Sequence, residues 1–290
     1  MRLGNAPCSW GVEFADDPRN PPWEQVLEDC STAGFQGIEL GPVGFLPEDP
    51  DVLKAALDRH GLTLAGGVVY QPFHDKGAWD AVRDAHLRTC RSLAAHGADQ
   101  LILIDAIAAD RADTLGRPDD ARRLTPDGWA GFVERIRMAA EMAAGDYGLT
   151  VSIHAHAGGY CDFEEELDRV LEEIDADTLK VCMDTAAGMD PLAVTRRYAD
   201  RISHIHLKDI DPVMKDRVIA ERIEFYTACA ENMFCEIGKG EVDFAAFHDL
   251  LVEIGYGGWC VVEQDCAPDS PTSKVDMAAA NRRLLKTVGF

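Results

Sequence analysis

Four short apolar runs in the second half of the chain end in side chains that can hold a metal or move a proton. They are Ser152-Ile153-His154-Ala155-His156, Cys182-Met183-Asp184-Thr185, His204-Ile205-His206-Leu207-Lys208-Asp209 and Val261-Val262-Glu263-Gln264-Asp265. Side chains two apart on an extended strand share a face, so His154 and His156 can point the same way, as can His204 and His206. One such His is more often a hydrogen-bonded residue than a ligand. Four consecutive strand ends offering His, Asp, His and Glu point instead to one metal centre. Imidazole nitrogens with carboxylates suit Mn²⁺, Zn²⁺, Fe²⁺ or Co²⁺ better than Ca²⁺. Mixed N/O ligation also leaves positions open for substrate oxygens, which a closed structural site does not.

Such ends have to be brought to one place, and the surrounding pattern says how. Short apolar strand candidates cover Arg2–Ser9, Gln36–Leu40, Leu62–Val69, Gln100–Ile104, Leu149–His154, Leu179–Asp184, Ile202–Leu207 and Gly258–Glu263. Helical patterns lie between them at Pro22–Ala33, Pro50–His60, Ala78–His96, Pro126–Tyr147, Phe163–Ile174, Pro191–Tyr198 and Phe244–Ile254, with a last one from about Pro271 to Lys286. Pro recurs at helix starts and Gly just past helix ends (Gly61, Gly97, Gly148), which is helix start and stop chemistry. Near-continuous apolar strands alternating with helices predict a parallel sheet covered by helices. Eight such units predict closure into a (β/α)8 TIM barrel, one domain over residues 1–290, with the site at the C-terminal ends of the strands. An open doubly wound sheet is the weaker alternative, because no GxGxxG follows the first strand. Two long excursions stand out. One runs from about Asp209 to Gly240 and is expected to carry a helix near Asp216–Cys229, and the other runs from Asp105 to Pro126.

Charge and cysteine usage exclude several classes. With 28 basic and 51 acidic side chains the net charge is −23, which repels nucleic acid and anionic membranes. The nine Cys include no CxxC, several sit in apolar runs, and the chain is too long to need disulfide staples, so a reducing cytoplasm fits. The first ten residues, MRLGNAPCSW, lack the apolar stretch of a signal peptide, and no run of 18 apolar residues occurs. A small sugar or polyol is the expected partner. Barrels of this kind often pair, although no interface signature marks this chain.

Several stretches carry a resemblance. Ala6-Pro7-Cys8-Ser9-Trp10-Gly11, Gly37-Ile38-Glu39-Leu40-Gly41-Pro42, His154-Ala155-His156-Ala157-Gly158, Asp184-Thr185, His204 to Asp209, Gly238-Lys239-Gly240-Glu241-Val242-Asp243-Phe244, and Gly255-Tyr256-Gly257-Gly258-Trp259 leading to Glu263-Gln264-Asp265 resemble the xylose-isomerase-like barrel family. That family holds sugar isomerases, epimerases and endonuclease-IV-like proteins, and within it the likeness is greatest to inosose (2-keto-myo-inositol) dehydratases. It covers essentially the whole chain. The HxHLKD and GxGxVDF patterns mark the superfamily and not one substrate. The resemblance implies metal ligands at His154, Asp184, His206 and Glu263, and a divalent ion, Mn²⁺ first, with Zn²⁺, Co²⁺, Fe²⁺ or Mg²⁺ as alternatives. Epimerases of the family carry Glu where this chain has His154, so the paired carboxylate bases of epimerisation are not both present. Dehydratase relatives often read Asp-Thr-Gly-His after strand six. This chain reads Asp184-Thr185-Ala186-Ala187, which leaves room for a different substrate.

The expected chemistry is loss of water β to a ketone through an enediolate stabilised by the metal. Glu263 and His156 are the candidate bases, and Lys208 or His156 the candidate acid, with the Lys208 pKa expected to be lowered by a neighbouring cation. Glu39 is expected to bond substrate hydroxyls or to neutralise Lys208, or equally to be a carboxylate satisfied inside the barrel. Trp10 is the candidate wall for a sugar ring or a core-packing residue, and Lys239, in a Gly-flanked turn, is a candidate to close over the mouth or to be simply solvated. Phe225, Tyr226, Met233 and Phe234 are candidates to cover the site. The competing readings are an isomerase or epimerase of a ketose or hydroxypyruvate-like substrate on the same metal site, and a non-catalytic sugar-binding barrel. A DNA-repair activity would need a basic face, which the composition denies.

Overall fold

A computed structural model describes residues 1–270 and 272–290. Pro271, where the last helix was expected to begin, lies outside the described residues. Eight parallel strands close into a barrel in chain order. They are β1 (Arg2–Asn5), β2 (Gly37–Glu39), β3 (Thr63–Gln71), β4 (Gln100–Asp105), β5 (Thr150–His154), β6 (Lys180–Asp184), β7 (Ile202–Leu207) and β8 (Trp259–Val262). β8 closes the barrel on β1, with Asn5 opposite Val262. The helices are α1 (Trp23–Thr32), α2 (Pro50–His60), α3 (Trp79–Ala95), α4 (Pro126–Tyr147), α5 (Glu164–Glu173), α6 (Pro191–Arg197), α7 (Pro212–Glu221), α8 (Phe225–Ala230), α9 (Phe244–Glu253) and α10 (Lys274–Thr287).

Local chemistry sets these boundaries. α4 starts where Thr125 Oγ1 accepts from Gly128 N and Pro126 takes the first helical position, and it stops at Gly148 with φ +69°. The first strand was expected to reach Ser9 but ends at Asn5. Pro7 has no N–H for a ladder, and Pro7–Trp10 form a 3-10 turn instead. The excursion after β7 carries two helices where one was expected near Asp216–Cys229. Arg222 adopts φ +58° and separates α7 from α8.

The excursion leaves and returns at one point. Asp209 is fully buried, and its carboxylate accepts from Gly238 N (2.7 Å), Gly240 N (2.9 Å) and Val242 N (3.1 Å). A Cβ at Gly240 would collide with Asp209 Oδ1 and Ile210 O. The Lys-Asp pair after β7 and the Gly-Lys-Gly turn are thus one device, in which a backbone nest holds a buried carboxylate. An isolated antiparallel bridge between Ile210 and Phe234 closes the same loop. The excursion after β4 is pinned by Arg111, whose buried guanidinium donates to both carboxylate oxygens of Glu166 at 2.8 and 3.1 Å.

Candidate metal centre

The alternation of β7 puts His204 and His206 inside the barrel, both completely buried. β5, β6 and β8 end at the same level and bring His154, Asp184 and Glu263 to it. One ligand atom from each of His154, Asp184, His206 and Glu263 lies within 4.8 Å of the others. His154 Nε2 is 3.2 Å from Asp184 Oδ2, and His206 Nδ1 is 3.0 Å from Glu263 Oε2. Despite that closeness, His154 Nδ1 and His206 Nδ1 are buried without a hydrogen-bond partner. Orphaned lone pairs converging in a desolvated site are costly unless something electropositive satisfies them. Two imidazoles and two carboxylates are a donor set that fits a divalent transition ion.

Glu39, on β2, fixes the geometry from below. Its Oε1 lies 2.7 Å from His204 Nε2 and 3.1 Å from His206 Nε2. Burial acts to raise its pKa, but the His206 charge and the imidazole hydrogen bonds outweigh it and hold the carboxyl at about 2. An ionised Glu39 accepts from the Nε2–H of His206, so Nδ1, 3.0 Å from Glu263 Oε2, is the atom that faces the cluster and would serve as a ligand once it gives up its proton. Glu39 was expected to bond substrate or to neutralise Lys208. Its Oε1 orients imidazoles, as the alternative of a carboxylate satisfied inside the barrel has it, its Oε2 stays unpartnered at the edge of the larger cavity, and Lys208 has other partners.

Lys208 Nζ sits 2.7 Å from Asp265 Oδ2, 2.9 Å from Glu263 Oε2 and 3.2 Å from Asp184 Oδ2, over the Phe234 ring. Burial acts to strip its proton, and Asp184, Asp265 and Glu263 overcome that and raise its pKa above the usual lysine value. The lowering expected beside a bound cation is opposed by these three carboxylates. His156 Nδ1 lies 3.0 Å from the Ala157 carbonyl, which can only accept, so Nε2 carries the free lone pair. Burial first, then the charges of His154 and Lys208, push its pKa down to about 3, so the ring is neutral.

Two cavities, of about 460 and about 580 Å³, open on either side of His156 and Lys208, which line both. The excursion after β7 covers them. Phe225 packs on His156 with ring centroids 4.8 Å apart, and the Tyr226 hydroxyl meets that of Tyr70 at 3.0 Å.

Two of the candidate residues lie elsewhere. Trp10 is buried in the packing beneath α1, where its Nε1 donates to Asp29 Oδ2 at 2.9 Å, so it is not a wall for a sugar. Lys239 points to solvent with its side chain 66% exposed and pairs with Glu236 at 2.9 Å, so the turn serves Asp209 through its backbone and does not close the mouth. Asp265 and Glu13 were not singled out, yet both line the cavity beside Lys208. Asp265 follows Glu263 by two, the same spacing that paired His154 with His156, and so was findable. Glu13 lies in a loop with no period to mark it.

Fold and cluster together define a (β/α)8 barrel carrying a mononuclear metal-type centre at its C-terminal mouth. The chain belongs to the xylose isomerase-like TIM barrel family, whose model matches residues 27–288. It is 30% identical to an inosose dehydratase of Geobacillus kaustophilus over 298 aligned residues, covering 96% of this chain and 92% of that one. It is also 30% identical to the rhizopine catabolism protein MocC of Rhizobium meliloti, covering 100% and 90%. Among solved structures, the IolI protein with a bound zinc atom superimposes with a TM-score of 0.74 at 14% identity, covering 99% of this chain and 98% of that one, a likeness of fold. No helix among the described residues is long and apolar enough to cross a membrane.

Proposed function

We propose that the chain is a metal-dependent lyase that removes water β to the ketone of a keto-polyol such as 2-keto-myo-inositol. The observation that carries this reading is the convergence of His154, Asp184, His206 and Glu263, with the buried Nδ1 atoms of both imidazoles left without a hydrogen-bond partner. The inosose dehydratase relatives over nearly the whole chain support the substrate class. A divalent ion held there, Mn²⁺ first, supplies Lewis-acid polarisation of the ketone.

The chain's own groups supply the rest. The neutral His156 offers Nε2 at the junction of the two cavities and accepts a proton from the carbon beside the ketone. Glu263 is the less available candidate base, since it belongs to the ligand cluster and its Oε2 already meets Lys208 Nζ at 2.9 Å. The Lys208 ammonium, fixed by three carboxylates, places positive charge beside the developing oxyanion and is the donor to the departing oxygen. An epimerase on the same centre would need a second carboxylate base, and His154 stands in the place expected for it.

Proton NMR in D2O with Mn²⁺ and 2-keto-myo-inositol tests the reading. Dehydration gives an enol or diketone with new ultraviolet absorbance. Solvent exchange at the α carbon without that absorbance would favour an isomerase or epimerase, and an unchanged spectrum would favour a binding protein.

A further inference from the structure

The one hydrogen bond of the His156 ring among the described residues goes to its own loop, at the Ala157 carbonyl. How that loop is held therefore sets where the ring stands. The loop is a closed turn, in which His156 N donates to Cys161 O at 2.9 Å and Gly159 N donates to His156 O at 3.1 Å. Two buried carboxylates take backbone N–H groups between those ends. Asp162, at the exit of the same loop, accepts from Gly158 N at 2.8 Å. Asp105, the last residue of β4, accepts from Tyr160 N at 2.7 Å. Asp105 is 1% exposed, and a Cβ at Gly159 would collide with its carbonyl oxygen, so the loop lies flush on the end of β4. The same carboxylate reaches back to the segment after β3. Its Oδ1 accepts from His74 N at 3.0 Å, and His74 Nδ1 lies 2.9 Å from Oδ1 and 3.0 Å from Oδ2. A carboxylate only accepts, so Nδ1 carries the proton. The His74 ring rests on Tyr160 with centroids 5.1 Å apart, and Arg135 on α4 donates to the carbonyls of Phe73 and His74. Neither Asp105 nor His74 lines either cavity.

We propose that Asp105 and His74 are positioning residues for His156, fixing the loop after β5 and so the place where Nε2 meets the carbon beside the ketone. The line of contact runs from Arg135 through His74 and Asp105 to Tyr160, and from there to the neighbouring Cys161 carbonyl that receives the His156 N–H. This rests on the reading of His156 as the base and deepens it. Desolvating a carboxylate is costly, and here its hydrogen bonds go to two loops and not to substrate. A base displaced by about 1 Å loses about 100-fold in rate. Substrate affinity is spared, because the walls of both cavities come from other residues.

Asp105→Asn tests the inference, because an amide offers one oxygen where the carboxylate offers two and cannot serve both Tyr160 N and His74 N. With the Mn²⁺-supplemented chain, loss of the α proton of 2-keto-myo-inositol is followed by NMR in D2O, whether or not water then leaves. We expect kcat to fall about 30-fold, with KM within about twofold and metal content equal to that of the wild-type chain. His74→Phe keeps a ring against Tyr160 and removes the donor, and is expected to lower kcat about 10-fold. His74→Gln restores a donor and is expected to recover kcat to within about threefold of wild type. The two His74 variants decide the matter if Asp105→Asn does not fold. A kcat within about twofold of wild type in Asp105→Asn and His74→Phe overturns the inference. Loss of metal or a raised KM that accounts for the whole effect also overturns it, as does a His74→Gln chain as slow as His74→Phe. Loss of the α proton by the wild-type chain without dehydration overturns the lyase reading alone, and the variant rates still decide the inference. No loss of the α proton by the wild-type chain overturns both.

Discussion

Strands β1–β4 send one side chain, Glu39, to the metal-type cluster, whereas β5–β8 supply all four of its members and Lys208. The contrast extends outward. The loops of the first half hold the barrel together through Trp10, Arg111 and the cavity walls, and the second half carries the charges and the covering excursion. A barrel whose strands are geometrically equivalent has thus separated the residues that could hold a cation from the one, Glu39, that aims an imidazole among them. Substitutions in the two halves should fail in different observables.

The largest effect is expected at Asp184. Asp184→Ala removes one ligand and half the charge that opposes the ion, and should abolish stoichiometric Mn²⁺ or Zn²⁺ binding, read by elemental analysis after gel filtration. Activity should fall by about 1,000-fold or more. Full metal content in that variant would remove the centre from this account. Arg111→Ala is expected to cost about 1–3 kcal/mol of stability, because it removes the buried partner of Glu166 and leaves that carboxylate to Arg123 and the backbone N–H groups of Asp162 and Phe163. Urea unfolding measures it, and the metal affinity of the folded fraction should be unchanged.

A pH effect belongs to the first half. His86 is fully buried on α3, and burial pushes its pKa down to about 4, partly offset by the Ala139 backbone. The unfolded chain therefore binds this proton below about pH 6.5, and the folded chain only near pH 4. Stability should fall as pH drops through that window, by roughly 3 kcal/mol at most. His86→Leu should flatten the slope of Tm against pH there, and an unaltered slope would assign the loss to other groups.

Glu39→Gln is expected to weaken metal binding by about 10- to 100-fold while leaving the fold intact, the one case in which a first-half residue shows itself in metal affinity. Competition with a chelating dye reads it, and wild-type affinity would mean that His206 is aimed without its partner. The smallest effect is expected at Lys239. Lys239→Ala should change activity less than twofold and stability by under about 0.5 kcal/mol. A tenfold rise in KM would return the side chain to the mouth.

Much of this division was legible in the residues. Apolar runs two residues in period, Gly after helices and ligand types at strand ends are local signals, and they located eight strands and the four clustered side chains. Glu39 was legible as a carboxylate that the barrel interior could satisfy, but its partner was not, because its contact with His204 spans 165 positions and depends on how β2 and β7 face one another across the barrel. Trp10 and Lys239 misled for a related reason. An aromatic after a strand and a lysine between glycines look the same whether the side chain or the backbone is what the fold uses. For Lys239 it is the backbone, which surrounds Asp209.

That anchoring of both ends of the excursion at Asp209 has a consequence for diversification. A segment that departs and rejoins the scaffold at a common knot is topologically a handle. Its interior, residues 212–232, can be lengthened, shortened or replaced without re-registering any strand. Descendants of this barrel can therefore exchange what they grip while the cation-holding floor is inherited untouched.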